Sequence, residues 1–168
     1  MSLRKNAVHP GWDDPLVQTL RVLTEQAGGL MVFAGVANGR VPASLVNAGL
    51  VEHPVSGAPT LAHVAYRDSR RVARLAVTPQ ASLTVHDGRR WLTAEGHADL
   101  IFGPWHEVGP DHALRLDAAR YAELLREIFR RAGGGEHPDW PEYDAAMRRE
   151  QRVAVLVDLR RLYGIHWD

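Results

Sequence analysis

The 168-residue chain contains no cysteine, which excludes disulfides, thiolate-bound metals and cysteine nucleophiles and fits a reducing compartment. It also lacks net charge: twenty Lys and Arg face twenty Asp and Glu. Nonspecific attraction to DNA or to an anionic membrane therefore gets no help from the molecule as a whole. No run approaches the roughly 20 apolar residues that span a bilayer. The opening stretch MSLRKNAVHPGWDDP has no signal-peptide apolar centre. Internal repeats and low-complexity segments are missing too. Lysine occurs once against nineteen arginines, so the placement of arginine, rather than its number, carries information. With 45% hydrophobic residues the chain has enough apolar material for one core. These features predict a soluble, cytoplasmic protein of one domain over residues 1–168.

Several chemistries lack their motif. There is no GxSxG elbow, so Ser44, Ser56, Ser69 and Ser82 have no hydrolase setting. The glycines between Gly28 and Gly39 do not follow the GxGxxG spacing of a dinucleotide fold. His63, His86 and His97 fall on predicted strands without HxH or HExxH spacing, so no metal site is expected.

The chain does carry clear punctuation. Asp13 or Asp14 before Pro15 opens a helix with Leu16, Leu20, Leu23 and Ala27 at helical spacing, and Gly28-Gly29 closes it. Two strands follow, joined at Asn38-Gly39, with Pro42 requiring the second to start late or lie at an edge. TLAHVAY is a third strand. After a short helix, Ala81–Asp87 is a strand, Asp87-Gly88 a tight turn and Trp91–Phe102 a long strand. In that strand Leu92, Ala94, Gly96, Ala98 and Leu100 alternate inward against Trp91, Thr93, Glu95, His97 and Asp99. Tyr121, Leu124, Leu125, Ile128 and Phe129 form a helical stripe capped by Asp117 and ended by Gly133–Gly135. A shorter helix begins near Pro141. RVAVLVDL reads as a strand buried on both faces, and RRLYGIHWD finishes the chain. This order predicts a mainly β protein with flanking helices, an antiparallel barrel of about six strands whose closure removes exposed edges.

The most informative stretch is YRDSRRVARLAVTPQASLTV, residues 66 to 85. Arg67, Arg70, Arg71 and Arg74 surround one helix start, which Asp68 or Ser69 caps and Thr78-Pro79 terminates. Val72, Leu75 and Ala76 share the inner face, Arg70 and Arg74 the opposite one, and Arg71 lies to the side. Guanidinium forks beside unpaired backbone amides suit an anion such as phosphate. Basic residues focused at one point, rather than spread over a face, argue against nucleic acid as the partner.

These segments, in this order, resemble the pyridoxamine 5'-phosphate oxidase-like superfamily of split β-barrels, which bind flavin mononucleotide (FMN) or the deazaflavin F-420. The hairpin NGRVPASLV is similar to the family's opening strands. TLAHVAYRDSRRVARLAVTPQASLTV is similar to its strand, serine-basic-basic helix, TP turn and next strand. WLTAEGHADLI is similar to its long glycine-containing strand, and REQRVAVLVDLRRLYGIHWD to its closing strand and aromatic tail. The resemblance implies a homodimer with a cofactor at each subunit seam and a small-molecule substrate. It implies phosphate binding by Ser69, Arg70 and Arg71, with Arg67 before them and Arg74 one turn on. It also implies that Val41, Ala43, Ser44, Ala65 and Tyr66 line the cofactor ring and that Trp167 reaches across it. Ala65 stands where flavin oxidases often carry threonine or serine, and the basic residues that recognise pyridoxamine phosphate have no counterpart. The implied activity is therefore a flavin-type oxidoreductase, using FMN or F-420, on a different small organic substrate. The alternative is a protein that binds or sequesters flavin, deazaflavin or haem without turnover. No residue is singled out as catalytic.

Overall fold

The computed structural model describes residues 5–107, 109–111 and 113–165. The elements in chain order are β1 (Lys5–Val8), α1 (Pro15–Gln26), β2 (Leu30–Gly35), β3 (Ala43–Glu52), β4 (Pro59–Tyr66) and α2 (Arg70–Leu75). β5 (Gln80–His86), β6 (Trp91–Phe102), the two-residue β7 (Leu114–Arg115), α3 (Ala118–Phe129), α4 (Trp140–Arg149), β8 (Arg152–Asp158) and β9 (Arg161–Ile165) follow. A single wide turn over Arg130–Gly134 extends α3, and Gly133 ends it at φ 86°. No helix among the described residues is long and apolar enough to cross a membrane.

Six strands close a barrel in the order β6-β5-β2-β3-β4-β8, and β8 returns to pair with β6. All of those pairings are antiparallel. β6 is long enough to serve two partners along one edge, pairing with β9 over Trp91–Glu95 and with β8 over Ala98–Ile101. The change of partner occurs at Gly96, where an added Cβ would collide with the Asp158 backbone. There the His97 amide donates to Asp158 Oδ1 at 2.6 Å. A side chain at position 96 would hold the two strands apart, so the absence of one lets them cross here.

Local chemistry sets the element ends. Asn38 and Gly39 both take positive φ, 48° and 72°, as a two-residue hairpin turn demands. Asp14, Ser69, Asp117 and Asp139 each cap a helix by accepting from an amide of its first turn. β3 begins at Ala43, immediately after Pro42, which cannot donate to a ladder. Leu92, Ala94, Gly96, Ala98 and Leu100 of β6 are buried, as their alternation predicts. Thr93 is buried as well, its hydroxyl 2.8 Å from that of Thr84 across the ladder.

Two apolar layers hold the fold. The barrel interior joins Met31, Phe33, Leu61, Leu83, Leu92 and Val155 to Leu20 and Leu23 of α1 and to Val72 and Leu75 of α2. A second layer packs Tyr121, Leu125 and Ile128 of α3 and Tyr143 of α4 on Ala62, Ile101, Ala154 and Leu156, which face outward from the barrel. β8 is thus buried on both faces, as its unbroken apolar run predicts. Each large aliphatic side chain removed from water in this way contributes roughly 1.5–3 kcal/mol. Such burial fixes α2, too short to persist alone, against β4 and β6.

Candidate functional site

α2 has only six residues, and two of its three arginines, Arg71 and Arg74, are held against the ring of Phe33. Val72 and Leu75 anchor the helix in the barrel interior, and Ser69 Oγ accepts from the Val72 amide at 3.3 Å. That anchoring orients the flanks. Arg71 Cζ lies 5.1 Å from the centroid of Phe33 and Arg74 Cζ 6.0 Å from it. Arg71 Nη2 donates to Ser44 Oγ at 2.7 Å. Phe33 and Ser44 oppose one another in the β2–β3 ladder, so the platform and the hydrogen-bond acceptor lie on one side of the sheet.

The resulting hollow, about 440 Å³, is lined by Pro42, Ala43, Ser44, Val64, Ala65, Tyr66, Ser69, Arg70, Arg71, Arg74 and Arg152. Among the described residues, none of Arg70, Arg71 and Arg74 has a carboxylate partner. Arg90, Arg126, Arg130, Arg131, Arg149, Arg152 and Arg160, by contrast, are all ion-paired. The Nε atoms of Arg71 and Arg74 are buried without a hydrogen-bond partner. Burial first, and the like charge of Arg74 second, push the Arg71 guanidinium below its ordinary range. An anion in the hollow would relieve both effects, because it would supply the missing counter-charge and accept from the idle N–H groups.

Beneath this layer sits His63 of β4, fully buried, its ring 5.2 Å from that of Phe33 in an edge-to-face arrangement. Among the described residues neither ring nitrogen has a hydrogen-bond partner. Desolvation, followed by the positive charge of Arg71, lowers its pKa from 6.5 to about 3. His63 is therefore neutral at physiological pH and adds no repulsion to the arginine pair above Phe33.

Eight of the residues expected at the site meet in the hollow: Ala43, Ser44, Ala65, Tyr66, Ser69, Arg70, Arg71 and Arg74. Arg67 turns away from it. The Arg67 amide donates to the Gln151 carbonyl at 3.1 Å, and its guanidinium lies 5.6 Å from the Phe102 centroid. Val41 is exposed and lines a separate hollow of about 350 Å³ on the outer face of β2, β5 and β6. Trp167 lies outside the described residues. Helical spacing pairs Arg70 with Arg74 on the outer face, whereas the structure pairs Arg74 with Arg71 over Phe33 and leaves Arg70 exposed. The helix lies across the end of β2, so its flanks also meet protein.

Sequence reasoning missed two participants. Phe33 reads only as one inward residue of an alternating strand. Arg152 begins β8 directly opposite Tyr66 and stacks on its ring at 3.4 Å from the centroid. The only signal for Arg152 is its position at the start of the closing strand, and that strand's register is set across the barrel. Among the described residues no group of three or more His, Asp or Glu side chains is arranged to hold a metal ion.

No protein-family model and no curated protein matches the sequence. Solved structures do match the fold. An FAD and haem binding protein from Mycobacterium smegmatis is similar over 98% of this chain and 74% of its own, with 13% identity and a TM-score of 0.60. An F-420 reductase is similar over 84% and 94%, with 16% identity and a TM-score of 0.53. A putative pyridoxamine 5'-phosphate oxidase from Listeria innocua is similar over 89% and 96%, with 12% identity and a TM-score of 0.52. The chain thus has the split-barrel fold of these proteins.

Proposed function

We propose that this protein is a flavin-type oxidoreductase that binds FMN or the deazaflavin F-420 through its phosphate and acts on a small organic molecule. The observation that carries this reading is the convergence of Arg70, Arg71 and Arg74, without acidic partners among the described residues, on one hollow with Ser44 and Ser69. The residues fit an anionic cofactor on two counts. Buried Nε atoms of Arg71 and Arg74 await an acceptor, and Ala43 and Ala65 leave a ring room to approach the strands. Such a cofactor supplies the hydride chemistry when bound. The chain's own part is to fix the phosphate with Arg71 and Arg74, to hold Ser44 against Arg71, and to keep His63 uncharged behind them. Each charge-assisted contact to phosphate contributes about 1.5–3 kcal/mol, so two of them change affinity by about two to four powers of ten.

We propose that a second copy of the chain packs beside this hollow. Leu30 and Val32 of β2 and Leu45 of β3 are exposed on the outside of the barrel, and Val32 and Leu45 are cross-strand partners. An apolar stripe next to a charged hollow suits a homodimer seam that excludes water from a ring cofactor.

Titration of the purified protein with FMN and with F-420, followed by absorbance and fluorescence, tests the proposal. Saturable binding of either, lost on combined substitution of Arg71 and Arg74 by Gln, is expected. Failure of both to bind refutes it. The name of the M. smegmatis protein favours a second reading, a flavin or haem carrier. Stable colour with no oxidation or reduction of the bound group by any donor would select it.

A further inference from the structure

A larger hollow, about 680 Å³, adjoins the arginine site between the outer face of β3 and β4 and the helices α3 and α4. Val64, Arg71 and Arg152 line both spaces, so the two adjoin at these side chains. Away from that junction the walls are apolar and aromatic: Leu45, Ile128, Phe129, Tyr143 and Met147. The volume and lining are those of a small-molecule site.

The walls are also fixed in place. Tyr143 Oη donates to the Leu125 carbonyl at 3.0 Å, and Phe129 meets the Tyr143 ring edge to face at 5.2 Å. On its lining an added Cβ on Gly133 would strike the Gly28 backbone, and outside it one on Gly49 would strike the Arg131 backbone. The end of α3 already rests on the sheet there and cannot sink further. The hollow is therefore preformed.

Its polar end has a particular charge balance. Arg152 donates through Nε to Glu150 Oε2 at 2.8 Å while stacked on Tyr66. Glu150 cancels the Arg152 charge and lines the hollow itself, and Arg71, the other charged side chain on its lining, is taken up by the phosphate in the cofactor reading, so a second anion entering beside a bound cofactor would face a carboxylate. Arg152 nevertheless has five N–H groups, of which Glu150 occupies only some. Those left over suit an uncharged acceptor.

We infer that the hollow between the β3–β4 face and α3–α4 binds the substrate of the proposed reaction, an uncharged aromatic molecule of about two fused rings with one carbonyl-type acceptor directed at Arg152. The inference rests on the cofactor reading in calling the occupant a substrate and in assigning Arg71 to the cofactor's phosphate.

The sequence supplies a reporter, because its three methionines are Met1, Met31 and Met147. Met31 is buried inside the barrel and Met147 lines the hollow. The full chain labelled with methyl-¹³C methionine is titrated with 2-acetonaphthone, and Met147 is assigned through Met147→Leu. A saturable shift of the Met147 methyl with Met31 unmoved is expected. With FMN bound, so that its phosphate occupies Arg71, binding of 2-naphthoate should be weaker than that of the ketone by about tenfold, the equivalent of one charge set against Glu150. Asn47→Trp, at an exposed rim position of this hollow, should abolish the shift. Arg152→Gln should reduce affinity for 2-acetonaphthone to that for 2-ethylnaphthalene, which lacks the acceptor. An unmoved Met147, a shift that survives Asn47→Trp, or equal affinity for ketone and carboxylate overturns the inference. Saturable Met147 shifts in a protein that binds neither FMN nor F-420 would remove the cofactor reading and leave the hollow as a binding site.

Discussion

Arg71→Gln separates binding from folding. In the folded protein Arg71 makes one hydrogen bond to Ser44 and stacks on Phe33. The bond contributes about 0.5–1.5 kcal/mol and the stacking about 0.5–2 kcal/mol. Against these stand an idle buried Nε, which costs about 1–3 kcal/mol, and repulsion from Arg74. The two sides nearly cancel, so the substitution should change stability by no more than about 1 kcal/mol, about 2–4 °C in Tm for a chain of this size. Phosphate binding behaves differently. In the proposed phosphate site Arg71 would provide a charge-assisted contact of about 1.5–3 kcal/mol, so FMN or F-420 affinity should fall between about 10- and 150-fold. Isothermal titration calorimetry beside thermal melts of the same samples reads both quantities. Affinity within twofold of the unaltered protein, or a Tm loss above about 10 °C accompanying the loss of binding, would refute the idea that Arg71 is held for a ligand rather than for the fold.

Other outcomes follow from the same structure. Because the pKa of His63 is depressed to about 3 in the folded state, the unfolded chain takes up one more proton than the native one between pH 6.5 and about 3. Stability is therefore full above pH 6.5 and falls by about 1.4 kcal/mol per pH unit on acidification through that window. In urea titrations across this range His63→Phe should flatten the slope, and an unchanged slope would place His63 outside the core. Gly96→Ala drives a methyl group into the Asp158 backbone. Overpacking of this kind costs about 1–3 kcal/mol or more, visible as a lower urea midpoint. Val32→Glu places a carboxylate on the exposed apolar stripe of β2. Sedimentation velocity should show a dimer becoming a monomer, and a chain that is monomeric before substitution would dispose of the proposed seam.

What was legible in the sequence was local. Asn38-Gly39 announced its turn because positive φ is cheap for those residues, and Asp14, Ser69 and Asp117 announced helix starts because each caps within three residues. β6 carried its own alternation. β1 and β9 were not visible as strands, because KNAV lacks an apolar pattern and RLYGI is short, and each is a strand only through its distant partner. The same division holds at the site. Arg70, Arg71 and Arg74 lie within five residues on a helix whose inner face is apolar, so their meeting was readable. The turn that sends Arg67 toward Phe102, and the register that sets Arg152 against Tyr66, are decided across the barrel.

The partner change along β6 bears on how the molecule unfolds and assembles. Trp91–Glu95 is flanked by β5 on one side and β9 on the other, and Ala98–Ile101 by β8. Neither end of the barrel can open without disturbing this strand, so its central amides should be among the last to exchange with deuterium. Its partners lie up to some seventy residues away in the chain, so closing the ring must await contacts far apart in sequence, and refolding should be slow, on the scale of milliseconds to seconds.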